Sequence, residues 1–170
     1  MLIVQKYGGS SVSTAEKIRN IAVKIRSRVD QGEKLVVVVS AMGKTTNQLI
    51  ELAKNVSPSP MEREMDMLLA TGEQVSAALL SMALNDLGIP AISYNAFQLE
   101  MVTTRTHNNA RIRDIKLTKL EKELEKHEVV VVTGFQGITD EGHVTTLGRG
   151  GSDTSAVAIA AKSGSRCEIY

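Results

Sequence analysis

Two glycine-flanked cations stand near opposite ends of this 170-residue sequence, and each suits a negatively charged ligand. In LGRGGSDTSAVAIA, Leu147 to Ala160, Arg149 precedes Gly150 and Gly151 at the start of an unbroken helical pattern. The glycines let backbone approach a ligand closely, and Ser152 or Asp153 is placed to cap the helix. First-turn N–H groups and the helix dipole then favour negative charge. The arginine adds a planar fork that matches a carboxylate or phosphate. An ordinary capped helix behind a glycine turn fits the same residues. At the other end, Leu2–Val4 runs into Lys6-Tyr7-Gly8-Gly9-Ser10-Ser11. A lysine, two glycines and two hydroxyls at the carboxyl end of a strand suit an oxyanion or phosphoryl group, although a structural turn accounts for that segment taken alone.

A third strand end follows the same plan. Lys34–Val39 is a β-branched run without polar interruption, which predicts a strand buried on both faces. It empties into Ser40-Ala41-Met42-Gly43-Lys44-Thr45-Thr46-Asn47. Gly43-Lys44-Thr45 looks like the end of a phosphate-binding P-loop, but that motif needs glycine where Val38 stands, so it is rejected.

The elements that must hold these loops alternate. Strand patterns occupy Leu2–Gln5, Lys34–Val39, Ala91–Tyr94, Val129–Thr133 and Arg166–Ile169. Helical patterns occupy Thr14–Gln31, Thr46–Lys54, Met61–Leu87, Ile112–His127 and Asp153–Ser163. This predicts an α/β fold, a mostly parallel sheet with helices on both faces. Ligands collect beyond the carboxyl ends of strands in such sheets, so one cleft holds all three loops. Gln136–Leu147 reads as a hairpin around Asp140-Glu141-Gly142 that returns Arg149 to the sheet edge. Pro60 sits where a first helical turn accepts proline. Met61, Met65, Leu68, Leu69, Val75, Ala78, Leu79 and Met82 recur at helical spacing, which predicts a face packed on the sheet.

Composition narrows the function. Twenty basic and nineteen acidic side chains leave a net charge of +1, which gives no general pull toward nucleic acid or membrane. Two Phe, three Tyr and no Trp make a poor base-stacking platform. Cys167 is the only cysteine, so an intrachain disulfide or thiolate metal cluster is excluded, and His107, His127 and His143 lack ligand spacing. No signal peptide or membrane span is expected, and a cytoplasmic location follows as the default.

KYGGSS, VVVSAMGKTTNQL, TGEQVSA and GRGGSDTSA, in this order along the whole chain, resemble aspartokinases of the amino-acid kinase family. The resemblance implies a carbamate-kinase-like three-layer sandwich. Residues 1–170 would be the amino-terminal, aspartate-binding part of its kinase domain, with the nucleotide-binding half and the ACT regulatory domains absent. The implied reaction is transfer of the ATP γ-phosphate to the β-carboxylate of L-aspartate, the first step toward lysine, threonine and methionine, with Mg2+ carried on the ATP phosphates. Lys6 would neutralise the transferring phosphoryl group, helped by backbone N–H groups of Gly8 and Gly9 and by Ser10. Arg149 would hold a carboxylate, Ser40, Thr46 and Ser152 would add hydroxyl and backbone contacts, and Glu73 would pair with the ammonium. Read without the family, Glu73 is a solvent-facing helical glutamate. Asp153 is a helix cap and, by resemblance, a catalytic residue facing the substrate. An acetylglutamate, glutamate or UMP kinase, or a non-catalytic anion-binding or oligomerisation module, remains an alternative. The 170 residues alone are expected to be inactive, and the apolar edge at Arg166–Ile169 favours a homo-oligomer.

Overall fold

In the computed structural model, which describes residues 1–170, the chain alternates strand and helix. The elements are β1 (Leu2–Tyr7), α1 (Ala15–Val29), β2 (Lys34–Val39), α2 (Thr45–Val56), α3 (Glu62–Leu69), α4 (Thr71–Asp86) and β3 (Ala91–Tyr94). They continue with β4 (Met101–Thr103), β5 (Ile112–Ile115), α5 (Leu117–Lys126), β6 (Val129–Thr133), β7 (Gln136–Ile138), β8 (Val144–Thr146), α6 (Gly151–Ser163) and β9 (Arg166–Ile169).

Five strands form a wholly parallel sheet in the order β3-β6-β2-β1-β9, as the alternation predicts. Its central strands carry valines on both faces because both faces are covered. Val37, Val39, Val129 and Val131 join Ile18, Ile21 and Ile25 of α1 and Leu80 and Leu84 of α4 in one core. Val36, Val38, Val130 and Val132 join Leu120 and Leu124 of α5 and Ala156 and Ile159 of α6 in the other. A second sheet, β5-β4-β7-β8, has no signature in the sequence pattern apart from its β7–β8 hairpin. That hairpin carries the chain from the end of β6 to the Arg149 turn, as expected.

Three expectations are corrected. The single helix over 61–87 is two helices, α3 ending at Leu69 and α4 beginning at Thr71 with Ala70 capping both. At this junction the Leu68 carbonyl accepts from Thr71 Oγ1 at 2.7 Å and the Ala70 carbonyl from buried Gln136 Nε2 at 2.8 Å. The helix over Ile112–His127 begins only at Leu117, since Ile112–Ile115 pairs with β4. Met61, Val75, Leu79 and Met82 are exposed rather than packed on the sheet. α4 instead buries Gly72, Ser76, Ala77, Leu80, Ser81 and Leu84. Small residues permit the close approach: a Cβ on Gly72 would lie 2.9 Å from the Ala41 Cβ. Pro60 also falls outside α3, whose N-cap is Met61.

Taken together, Glu62–Asp86 is a 25-residue stretch long and apolar enough to cross a membrane, contrary to the sequence expectation. Half of its most apolar window is buried within the fold, as in a core helix.

Candidate active site

All five carboxyl ends of the parallel sheet face the same side, and loops leaving β1, β2 and β6 meet the α6 N-terminus there. The result is a cleft of about 550 Å3. It brings together Lys6, Gly9, Ser40, Thr46, Glu73, Arg149, Ser152 and Asp153.

Lys6 is still within β1, paired with Val38 of β2 and Ile169 of β9, so its backbone is fixed on both sides. Its Nζ lies 2.7 Å from Asp153 Oδ1, and the lysine side chain is only 12% exposed. The contact is an ion pair by distance without the angle of a hydrogen bond. Asp153 and Ser152 do not cap α6, contrary to the first expectation. The N-cap is Gly150 in the left-handed region (φ 73°), which places both side chains inside the first turn. Ser152 is buried against Gly134, where an added Cβ would lie 2.8 Å from Ser152 Oγ.

The lysine-glycine loop differs from its expected role at two residues. Gly8 N–H already donates to the Tyr170 carbonyl (3.0 Å), so it is not a free phosphate donor. A Cβ at Gly8 would sit 3.2 Å from Lys6 Nζ, so the glycine leaves the lysine its room. Ser10 lies outside the cleft, beside a second groove with Lys17, Lys24 and Arg28, and its carbonyl accepts from Lys17 Nζ at 2.9 Å. Gly9 does reach the cleft. Its carbonyl accepts from Gly43 N–H (2.9 Å), and a Cβ there would lie 2.9 Å from the Ala41 carbonyl oxygen, so only glycine lets the first two loops touch.

Glu73 is not the solvent-facing residue that its helix pattern suggests. It is 2% exposed in the first turn of α4, and its Oε2 has no hydrogen-bond partner. Burial raises its pKa to about 7, against the lowering effect of backbone donors, including Ala41, and the Gln136 side chain. An incompletely partnered buried carboxylate at a helix N-terminus is a seat for a cation. Arg149, by contrast, is exposed at the cleft mouth between β8 and α6. The cleft therefore pairs a buried acid with an available guanidinium, plus a lysine beside an aspartate.

Sequence reasoning missed Phe135, Asn108 and Gln136. Phe135 follows the carboxyl end of β6 in a left-handed conformation (φ 72°), and Gly151 packs so close that a Cβ would lie 2.7 Å from Phe135 Cδ2. The rule that placed the other loops points to Gly134-Phe135 as well, since Val129–Thr133 is an evident strand. Asn108 enters the cleft from a loop in the second sheet and has no such signal. No group of three or more His, Cys, Asp or Glu side chains is arranged to hold a metal.

The profile of the amino acid kinase family matches residues 1–170. The chain belongs to that family. Among amino acid kinases it is 54% identical over 170 residues to an aspartokinase of Bacillus sp. (strain MGA3), covering 99% of this chain and 41% of the relative. It is also 54% identical over 171 residues to the aspartokinase of Mycobacterium tuberculosis (strain CDC 1551 / Oshkosh), again covering 41% of that protein. The chain thus spans about two fifths of the relatives it matches. Aspartate kinase from Synechocystis superposes with a TM-score of 0.85 at 53% identity, over 100% of this chain and 28% of that one. E. coli aspartokinase III, solved with aspartate and ADP, superposes with a TM-score of 0.89 over 100% of this chain and 49% of its own, and at 22% identity that likeness concerns the fold.

Proposed function

We propose that this chain supplies the acceptor site of an aspartate kinase, which moves the γ-phosphoryl group of ATP to the β-carboxylate of L-aspartate and yields 4-phospho-L-aspartate and ADP. The reading rests on one observation above the others: a buried carboxylate with an unpartnered oxygen, Glu73, shares a cleft with exposed Arg149 and with the Lys6–Asp153 pair. Aspartate carries two carboxylates and one ammonium, and the cleft holds the complementary charges. The identity to proteins named aspartokinase supports the same choice.

Arg149 clamps the α-carboxylate through its fork, and Glu73 receives the ammonium. Ser40, Thr46 and Ser152 supply neutral polar contacts around them. The β-carboxylate is then directed toward Lys6. It needs no general base, being ionised at neutral pH. One of its oxygens bonds to the γ-phosphorus as the bond to the ADP oxygen breaks, and the developing charge falls beside the Lys6 ammonium. Asp153 acts on this step by holding Lys6 in place. Mg2+, carried on the ATP phosphates, would neutralise further negative charge. Adenine and ribose contacts are proposed to lie in the part of the longer relatives that this chain does not span.

The reaction would be the first step of lysine, threonine and methionine biosynthesis, in the cytoplasm, without nucleic-acid or membrane partners. A homo-oligomer is proposed as well, with Val23 and Met82 exposed on neighbouring helices in its support. Titration calorimetry with L-aspartate, N-acetylglutamate and inorganic phosphate tests the acceptor. Saturable binding of aspartate alone is expected. Preference for N-acetylglutamate, which has no free ammonium, would favour another amino acid kinase, and binding of phosphate alone would favour a non-catalytic anion module.

A further inference from the structure

Asp66 is a fully buried carboxylate on α3 that takes no part in the mechanism above. Three donors converge on it. The His107 ring donates through Nδ1 (2.7 Å), Asn108 N–H reaches both oxygens (3.1 and 3.2 Å), and Thr146 Oγ1 donates at 2.6 Å. Two of those three residues, Asn108 and Thr146, line the acceptor cleft. Asn108 has φ 61°, a left-handed conformation that a non-glycine residue keeps only where its surroundings over-determine it. The same short loop is tied to β8, where Ala110 N–H donates to the Thr146 carbonyl at 3.0 Å. It also abuts the Arg149 turn: a Cβ on Gly148 would lie 2.7 Å from Asn109 Oδ1.

We propose that Asp66, with His107, is a positioning residue for acceptor recognition: it fixes the Asn108 loop as one wall of the cleft and thereby sets where Arg149 meets the substrate carboxylate. This rests on the acceptor-site reading given above. The physical reason lies in the placement of the charge. A carboxylate removed from water must keep its donors, so the loop is held to α3 by a demand that no surface contact would impose. Arg149 itself has no ion pair to hold it, and its position depends on what packs behind its turn.

The test uses Asp66→Ala and Asp66→Asn, with aspartate affinity by calorimetry, thermal stability by circular dichroism and, in the full-length protein, aspartate KM against kcat. Asp66→Ala should weaken aspartate binding about tenfold or more, since bonds to a buried charge are lost. Asp66→Asn keeps an acceptor oxygen for Asn108 and Thr146 and should recover most of that affinity. In kinetics, aspartate KM should rise while kcat at saturating aspartate and ATP KM stay within about threefold, the split that loss of uniform substrate binding predicts. His107→Ala removes one donor and serves if Asp66→Ala does not fold, with about a threefold or larger loss of aspartate affinity expected. Unchanged aspartate affinity in the folded variants, with only lower thermal stability, would overturn the inference, and so would equal losses for aspartate and ATP. If the unsubstituted protein itself fails to bind aspartate, the acceptor-site reading is what fails.

Discussion

Lys6 near the amino terminus and Asp153 in the last helix are held 2.7 Å apart by their charges, one on a central strand and the other in a helix first turn. The pair fixes the lysine where the parallel strands end. For Lys6→Ala in the full-length protein, kcat should fall about 100-fold or more with a smaller change in KM, because the charge it meets develops in the transition state. Steady-state kinetics separates the two, and a change confined to KM would make Lys6 a ground-state anchor.

Arg149→Lys replaces a planar fork with a point charge at an exposed position outside either core. Aspartate affinity should drop by about 1–3 kcal/mol with little change in folding stability. Calorimetry and thermal melts on the same preparation check both halves of the statement.

Glu73 makes two pH-dependent predictions. Its folded pKa, about 7, lies above the ordinary 4.5, because burial disfavours the ionised form. Between those values the folded state holds the proton more tightly than the unfolded state, so this residue's contribution to stability is full below about 4.5 and declines until about 7. Glu73→Gln should remove that decline and gain stability at pH 8, by an amount on the order of 1–3 kcal/mol. Denaturant melts across pH 4 to about 8 would show it, and parallel curves for the two proteins would refute the assignment.

Pairing with an ammonium requires the ionised carboxylate. Aspartate binding near neutral pH should therefore release a proton and tighten as pH rises through about 7. Calorimetry in buffers of different ionisation heat measures the release directly. The Glu73→Gln protein should bind weakly and without it.

Gly9→Ala would place a methyl group 2.9 Å from the Ala41 carbonyl oxygen and 3.3 Å from that of Gly43. Both obstacles are backbone, so the loops must part. A destabilisation of about 1–3 kcal/mol is expected together with loss of aspartate binding, whereas Gly142→Ala on the hairpin tip should leave binding intact.

The 170 residues by themselves are expected to show no aspartate-dependent ADP release, since positioning catalysis requires both reactants seated together. A coupled assay on the purified chain decides this, and turnover near that of an ordinary kinase would place the nucleotide site within these residues.

Much of this architecture is visible in local residue pattern. Lys34–Val39 and Val129–Thr133 read as buried strands because parallel sheets covered on both sides need apolar residues at every position. Ile112–Ile115 reads as helix because Ile112 stands in helical register with Leu120 and Leu124 and no glycine or proline separates the strand from the helix. On α4 Val75, Leu79 and Met82 point outward while Leu80 and Leu84 join the core. The buried face also takes Ser76, Ala77 and, against Ala41 in the loop after β2, Gly72, which carry little hydrophobic signal. Within the site, strand-end loops revealed Lys6, Ser40 and Arg149. The loss of Gly8 as a donor depends on its pairing with Tyr170, and Asn108 owes its place to Asp66. Both are tertiary facts that no local spacing encodes.

β1 lies between β2 and β9, so the strand that carries Lys6 is complete on both sides only when Leu2–Tyr7 and Arg166–Ile169, far apart in sequence, have met. Such long-range parallel closure is slow, because loop entropy is lost before the contacts that reward it form. During synthesis, Leu2–Tyr7 must wait for Arg166–Ile169 before it has both neighbours. A partly folded chain would have no place for aspartate, and the ligand would act only on molecules that had finished folding. Added aspartate should consequently slow unfolding while leaving the rate of folding almost unchanged.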